Sequence, residues 1–138
     1  MRIESLDHLV LTVADVEASA DFYIRVLGME KTVFGQGRVA MVFGRQKINL
    51  HSASAPLKPH ADHPTRGSGD LCFVSTQPLI GWLEHLARCG VIVEAGPVPR
   101  TGALGPMSSL YFRDPDGNLI EIGHYAPVEH RADSECHS

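Results

Sequence analysis

The chain has 138 residues, 43% hydrophobic and 20% charged, with a formal net charge of −4. That is enough apolar material for one core, or for two small units sharing one, and it excludes a disordered segment. With no Lys/Arg-rich run there is no electrostatic footprint for nucleic acid or an anionic membrane, which leaves a small molecule or a protein as partner.

The opening MRIESLDHLVLTV is interrupted by Arg2, Glu4 and Asp7. Nothing approaches the ~20 apolar residues that span a bilayer, so a soluble, cytoplasmic protein is expected. Cys72, Cys89 and Cys136 lack a CxxC spacing and read as reduced thiols, with Cys72 and Cys89 packed as small hydrophobes.

In chain order, LDHLVLTV alternates as a strand. DVEASADFYIRVLG then shifts to helical spacing, with Asp15 as N-cap and Gly28 closing the last turn. MEKTVFG, RVAMVFG and KINLHSA follow as three short strands, so the first half reads βαβββ. Residues 54–68 are rich in Ala, Pro, His and Ser without periodicity and read as a linker; His60 and His63 in it are a solvated connector or a lid.

The pattern then returns. DLCFVST is a strand and PLIGWLEHLARCG a helix, with Pro78 in its first turn and Gly90 after its end. VIVEAGPV, MSSLYFR and NLIEIGHY are three further strands. The spacing His8 to Asp15 to Gly28 equals that of Asp70 to Gln77 to Gly90, an internal repeat in which the second half inserts GPVPRTGALGP between its second and third strands. The expected division is module one at about 5–53, linker 54–68, module two at about 69–125, and a flexible tail over 126–138. DPDGN, residues 114–118, is turn chemistry leading into the last strand, where Glu121 stands between Ile120 and Ile122.

Strand parity separates two faces. Leu9, Leu11 and Val13, Val39, Met41 and Phe43, Ile48 and Leu50, Leu71 and Phe73, Leu110 and Phe112, Ile120 and Ile122 form a continuous apolar parity suited to a helix-covered face. The other parity is mixed: His8, Val10 and Thr12; Asn49 and His51; Asp70, Cys72 and Val74; Ser109, Tyr111 and Arg113; Leu119 and Glu121. A face with two imidazoles and two carboxylates among apolar residues resembles the lining of a cup. Convergence on a divalent ion is the economical reason for burying Glu121, because isolated buried charges are costly.

LDHLVLTV…FYIRVLGM, INLH and FRDPDGNLIEI resemble the vicinal oxygen chelate superfamily: glyoxalase I, bleomycin-resistance proteins, fosfomycin-resistance enzymes and extradiol dioxygenases. The likeness covers about residues 5–125 and is closest to glyoxalase-domain-containing proteins. It implies an α+β fold of two βαβββ modules whose curled mixed sheets form a metal-binding cup, paired in a homodimer. It also implies one divalent metal per site, Ni, Co, Zn, Mn or Fe(II), with ligands at His8, His51, Asp70 and Glu121. Many members carry His where this chain has Asp70, which either ligates or retreats behind a ligand.

The activity implied is that of a lactoylglutathione lyase or a related lyase or isomerase, with Glu121 as base, glutathione as a cosubstrate, and Arg113, Tyr111 and Ser109 touching substrate. Two enzymatic alternatives are a fosfomycin-type thiol transferase, for which Arg38, Arg100 and Arg113 are the available cations, and an Fe(II) dioxygenase. A metal-free ligand-binding protein of the bleomycin-resistance type is the non-enzymatic one.

Overall fold

The computed structural model describes residues 1–126; the expected tail beyond Ala126, with Cys136, lies outside the described residues. The elements are β1 (His8–Val13), α1 (Val16–Leu27), β2 (Glu30–Phe34), β3 (Arg38–Phe43), β4 (Gln46–Ser52), β5 (Asp70–Val74), α2 (Leu79–Arg88), β6 (Ala95–Gly102), β7 (Gly105–Arg113) and β8 (Leu119–Tyr125). The fold is α+β, with two four-stranded sheets in the equivalent orders β1-β4-β3-β2 and β5-β8-β7-β6. The repeated strand order is the structural form of the repeat in the sequence. No helix among the described residues is long and apolar enough to cross a membrane.

The described residues form two compact units, Met1–Asp70 with Arg113–Leu119, and Leu71–Phe112 with 120–126. In the first, β1 runs parallel to β4, and β4, β3 and β2 are successively antiparallel. Asp15 Oδ1 accepts from the Ala18 amide at 3.1 Å, and Gly28 takes the left-handed conformation (φ 68°) while its N–H bonds the Ile24 carbonyl. α1 packs on β2, β3 and β4. Its Ala20, Phe22, Tyr23 and Val26 are buried, as are Leu11, Val13, Val39, Met41, Ile48 and Leu50 of the sheet.

In the second unit α2 contributes Leu79 and Leu86 to the buried set, and the strands contribute Leu110, Phe112, Ile120 and Ile122. One expectation is corrected here. GPVPRTGALGP is no insertion loop: it forms most of β6 and the start of β7, paired from Val98↔Ser109 to Gly102↔Gly105, with an irregularity between Ala95 and Val98. Val91, Ile92 and Val93, assigned to a strand by their β-branched run, precede it. Pro97 and Pro99 are accommodated because β6 is an edge strand and need not donate outward. At Gly96 (φ 104°) a Cβ would collide with the Ser109 carbonyl and Leu110 Cα, so the approach requires glycine.

The turn after β7 belongs to the first unit and is its most heavily bonded feature. Asp114, 6% exposed, accepts four hydrogen bonds: from the Asp116 and Asn118 amides at Oδ1, both 2.9 Å, and from Tyr23 Oη at 2.7 Å and Asn118 Nδ2 at 2.8 Å at Oδ2. Asn118 Oδ1 accepts from the Gly69 amide at 2.7 Å. Asp116 Oδ1 accepts from the Ala14 amide at 2.9 Å and faces Arg66 Nε at 3.1 Å, and its Oδ2 accepts from Ser19 Oγ at 3.3 Å. Burial and the adjacent Asp114 carboxylate push the Tyr23 phenol far above its usual range, so it stays a donor.

Replacing Asp114 with Ala strands several buried donors at once and should lower the unfolding free energy by about 3–5 kcal/mol. Tyr23→Phe should cost about 1–3 kcal/mol. Both are read from urea unfolding. The folded chain holds the Tyr23 proton where the unfolded chain releases it, so wild-type stability should fall as pH rises above about 10, with a flatter profile in Tyr23→Phe. Equal alkaline slopes would contradict the pairing.

Candidate functional site

In the first unit, the sheet face opposite α1 carries the mixed parity. Register places Val10, Asn49, Ala40 and Thr32 in one cross-strand row. The adjacent row holds Thr12 beside His51 and Arg38 beside Phe34. Two cations lie over the Phe34 ring, Lys47 Nζ 3.8 Å and Arg38 Cζ 4.7 Å from its centroid. Asn49 and His51 are only 3% and 8% exposed. Asn49 Oδ1, His51 Nε2 and Arg38 Nε are all buried without a hydrogen-bond partner; each such atom costs about 1–3 kcal/mol while it stays unpaired.

His8 lies on the same face but pairs with Lys47, whereas His51 pairs with Thr12. Four residues of strand separate them, ~13 Å at the usual rise. Two imidazoles on one metal hold their nitrogens within about 4 Å of each other. Along the sheet, therefore, the two imidazoles start from well-separated positions. His8 is at the exposed start of β1, with Nδ1 2.8 Å from Asp7 Oδ1. Asp70 is exposed at the start of β5.

The second unit contains a cavity of about 340 Å³ lined by Glu121 of β8, Arg100 of β6, Tyr111 and Met107 of β7, Cys72 of β5, Tyr125 and their neighbours. Arg100 Nε donates to Tyr111 Oη at 2.8 Å, and the guanidinium lies 5.4 Å from the Tyr111 ring centroid. The Leu104 amide donates to Tyr125 Oη at 3.2 Å, fixing the rim. Gly102 has no room for a Cβ, which would strike Tyr125 Oη and Met107 Sδ. The arrangement is a half-buried carboxylate facing a space of substrate size, with a positively charged wall. Such a space suits recognition of an oxygen-rich ligand and proton transfer to or from it.

The other sequence candidates have distinct places. Tyr111 lines the cavity. Ser109 is fully buried with its Oγ unpartnered. Arg113 Nη1 donates to the Gly117 carbonyl at 3.2 Å, across the turn. Cys72, expected as a packed hydrophobe, is exposed on the cavity wall because it shares the strand face of Val74 and not that of Leu71 and Phe73; Cys89 is half-buried. Arg100 entered only as an available cation, since a segment read as an insertion has no parity; Met107 and Tyr125 went unnoticed, although they share the strand parity of Tyr111 and Glu121 that would have found them.

Among the described residues no three His, Cys, Asp or Glu side chains stand close enough to hold one metal ion. Imidazole and carboxylate donors suit divalent metals chemically, but the described residues of one chain do not gather three of them. Burial first, then the Arg38 charge and His60, push His51 below its ordinary value, so the ring is neutral at pH 7.

The family model for the Glyoxalase/Bleomycin resistance protein/Dioxygenase superfamily matches residues 5–122. The chain belongs to that superfamily. Among its relatives, virulence protein STM3117 of Salmonella typhimurium is 48% identical over 125 residues, 91% of this chain and 87% of the relative. The crystal structure of STM3117 superposes with a TM-score of 0.90, covering 91% of this chain and all of that one. Glyoxalase domain-containing protein RDO1 of Mycosarcoma maydis is 50% identical over 125 residues, 91% of this chain and 70% of the relative. Lactoylglutathione lyase of Pseudomonas aeruginosa is 30% identical, with 84% of this chain and 80% of the relative aligned.

For this superfamily member, histidine NMR should find His51 titrating below about 6.5, the ordinary value. Because the unfolded chain takes up the proton first, this group's contribution to stability is lost as pH falls below that value. A His51 midpoint at or above 6.5 would contradict the buried, cation-flanked placement.

Proposed function

We propose that the chain is a glyoxalase-type enzyme, a lyase or isomerase that moves a proton on a small oxygen-bearing substrate, with Glu121 as the base. The observation that carries this reading is that Glu121 lines the same cavity of the second unit as the hydrogen-bonded Arg100–Tyr111 pair. Glu121 would take a proton from the carbon beside a carbonyl and return it to the neighbouring carbon. Charge would develop on the substrate oxygens between these events, and a guanidinium held by Tyr111 stabilises such charge. Tyr111, held by Arg100, would orient the oxygens. The likeness to a lactoylglutathione lyase supports a thiol adduct of an oxoaldehyde as substrate, with glutathione as cosubstrate.

A divalent ion, Ni, Co, Zn, Mn or Fe(II), enters this reading as one shared by two chains of a homodimer, since the described residues of one chain gather no three donors. It would supply a Lewis acid for the substrate oxygens. His8 and Glu121 are the proposed holders, Asp70 a direct or water-mediated one. The register offset between His8 and His51 supports a set without His51.

Glu121→Gln keeps the volume and removes the base, so turnover of the hemithioacetal of methylglyoxal and glutathione should fall at least ~100-fold. Saturable binding without turnover by the metal-reconstituted wild type would replace the enzyme with a ligand-binding protein. Sedimentation should give twice the chain mass of 15.0 kDa. Metal analysis should find His8→Ala and Glu121→Ala depleted, Asp70→Ala weakened by roughly 10 to 100-fold, and His51→Ala unchanged. Metal-free His51→Ala would restore His51 to the ligand set.

A further inference from the structure

We propose that the end of α2 carries a metal site of its own, in which His85 Nε2 and Cys89 Sγ clasp one thiophilic divalent ion of the Zn²⁺ class. Neither residue lines the Glu121 cavity, and the site does not depend on the proton transfer assigned there.

His85 lies in the last turn of α2 and Cys89 is its C-cap, four positions on, the spacing that puts two side chains on one helix face. The same i, i+4 spacing holds the two histidines of helical zinc motifs. His85 Nε2 stands 3.6 Å from Cys89 Sγ. Bonds of about 2.3 Å to sulfur and 2.0–2.1 Å to nitrogen, at a tetrahedral angle, hold two donors on one zinc ion about 3.6 Å apart. The pair already stands at that bite distance, so an ion reaches both donors without unwinding the helix. Both residues are half-buried, which shelters the donors and leaves them accessible.

A thiol–imidazole hydrogen bond joins the same two atoms, but a thiol is a weak donor and does little to fix a ring. The His85 ring is fixed from its other side. Trp82 stands edge-on to it, with centroids 5.7 Å apart and planes at 84°. Trp82 is anchored in turn, because its Nε1 donates to Ser75 Oγ at 2.9 Å. Such support decides the orientation of a ligating imidazole before the ion arrives.

Charge and softness name the ion. The closing turn is well formed, with the Cys89 amide bonded to the His85 carbonyl and the Val91 amide to the Leu86 carbonyl, and the negative end of a helix favours a cation. Binding expels the Cys89 thiol proton, and the thiolate offsets the exposed Arg88 of the same turn. Thiolate with imidazole selects Zn²⁺ or Co²⁺ over Mg²⁺ and Ca²⁺, which take oxygen. Two protein donors leave the other positions to water, in keeping with the lack of a three-residue cluster among the described residues.

Trp82 is the chain's only tryptophan, so its fluorescence reports on the neighbouring His85. The test is titration of the full chain with Co²⁺, following Trp82 quenching and the near-ultraviolet thiolate-to-cobalt charge-transfer band. Both signals should saturate together, Zn²⁺ should displace the cobalt, and Mg²⁺ in about tenfold excess should not. Cys89→Ser, nearly isosteric, should abolish the band, and His85→Gln should weaken Co²⁺ binding at least ~10-fold. His8→Ala and Glu121→Ala, which alter the proposed catalytic centre, should leave both signals in place, so failure of that centre and failure of this site are told apart. No band up to ~1 mM Co²⁺, or a band that persists in Cys89→Ser, overturns the site and leaves a hydrogen-bonded thiol and imidazole in its place.

Discussion

The carboxylate of Asp114 is the interaction on which the first unit depends. It is buried and accepts four hydrogen bonds, two that shape its own turn and two from Tyr23 and Asn118. Charge-assisted bonds of this kind are about twice as strong as neutral ones, and a buried carboxylate without them would be prohibitive. Through Tyr23 the turn grips α1, and through Asn118 it grips Gly69 just before β5. Asp116 adds the β1–α1 junction through Ala14 and Ser19, and the linker through Arg66. One pentapeptide thereby fixes the ends of several elements.

The acids of the last third of the chain differ by environment. Asp114 and Asp116 are occupied by fixed donors and serve the fold. Glu121, three residues beyond Asn118, alternates with Ile120 and Ile122, which are buried, and so faces the cavity. The same strand thus supplies core on one face and chemistry on the other. The rigidity of the turn before it is what makes such a placement reproducible, since a reacting group gains from being held rather than found.

Much of the fold was legible because local signals agreed with one another. Asp15 and Gly28 bounded α1 correctly, the apolar parity of β1, β3, β4, β7 and β8 marked the buried face, and the repeat gave two sheets of equal strand order. The β6–β7 hairpin was hidden because Gly96, Pro97, Pro99 and Gly102 are loop residues by composition and are tolerated only by an edge strand. Parity also fixed the face of His8 and His51 without their offset along the sheet, which depends on register between strands distant in sequence. That is why a four-residue separation could not be anticipated, and why Arg100 emerged only with the hairpin and cavity in place.

The central claim is that the second unit's cavity, with Glu121 in its wall, is where the substrate sits. Cys72 shares that wall and is exposed, so its thiol reports on occupancy. The direct measurement is the rate of Cys72 alkylation by iodoacetamide, followed by peptide mass spectrometry, with and without saturating substrate on the Glu121→Gln variant, which binds without consuming it. The account predicts slowing of at least ~10-fold on saturation, as expected for a thiol accessible only in the unliganded fraction. An alkylation rate unchanged by saturating substrate would contradict it.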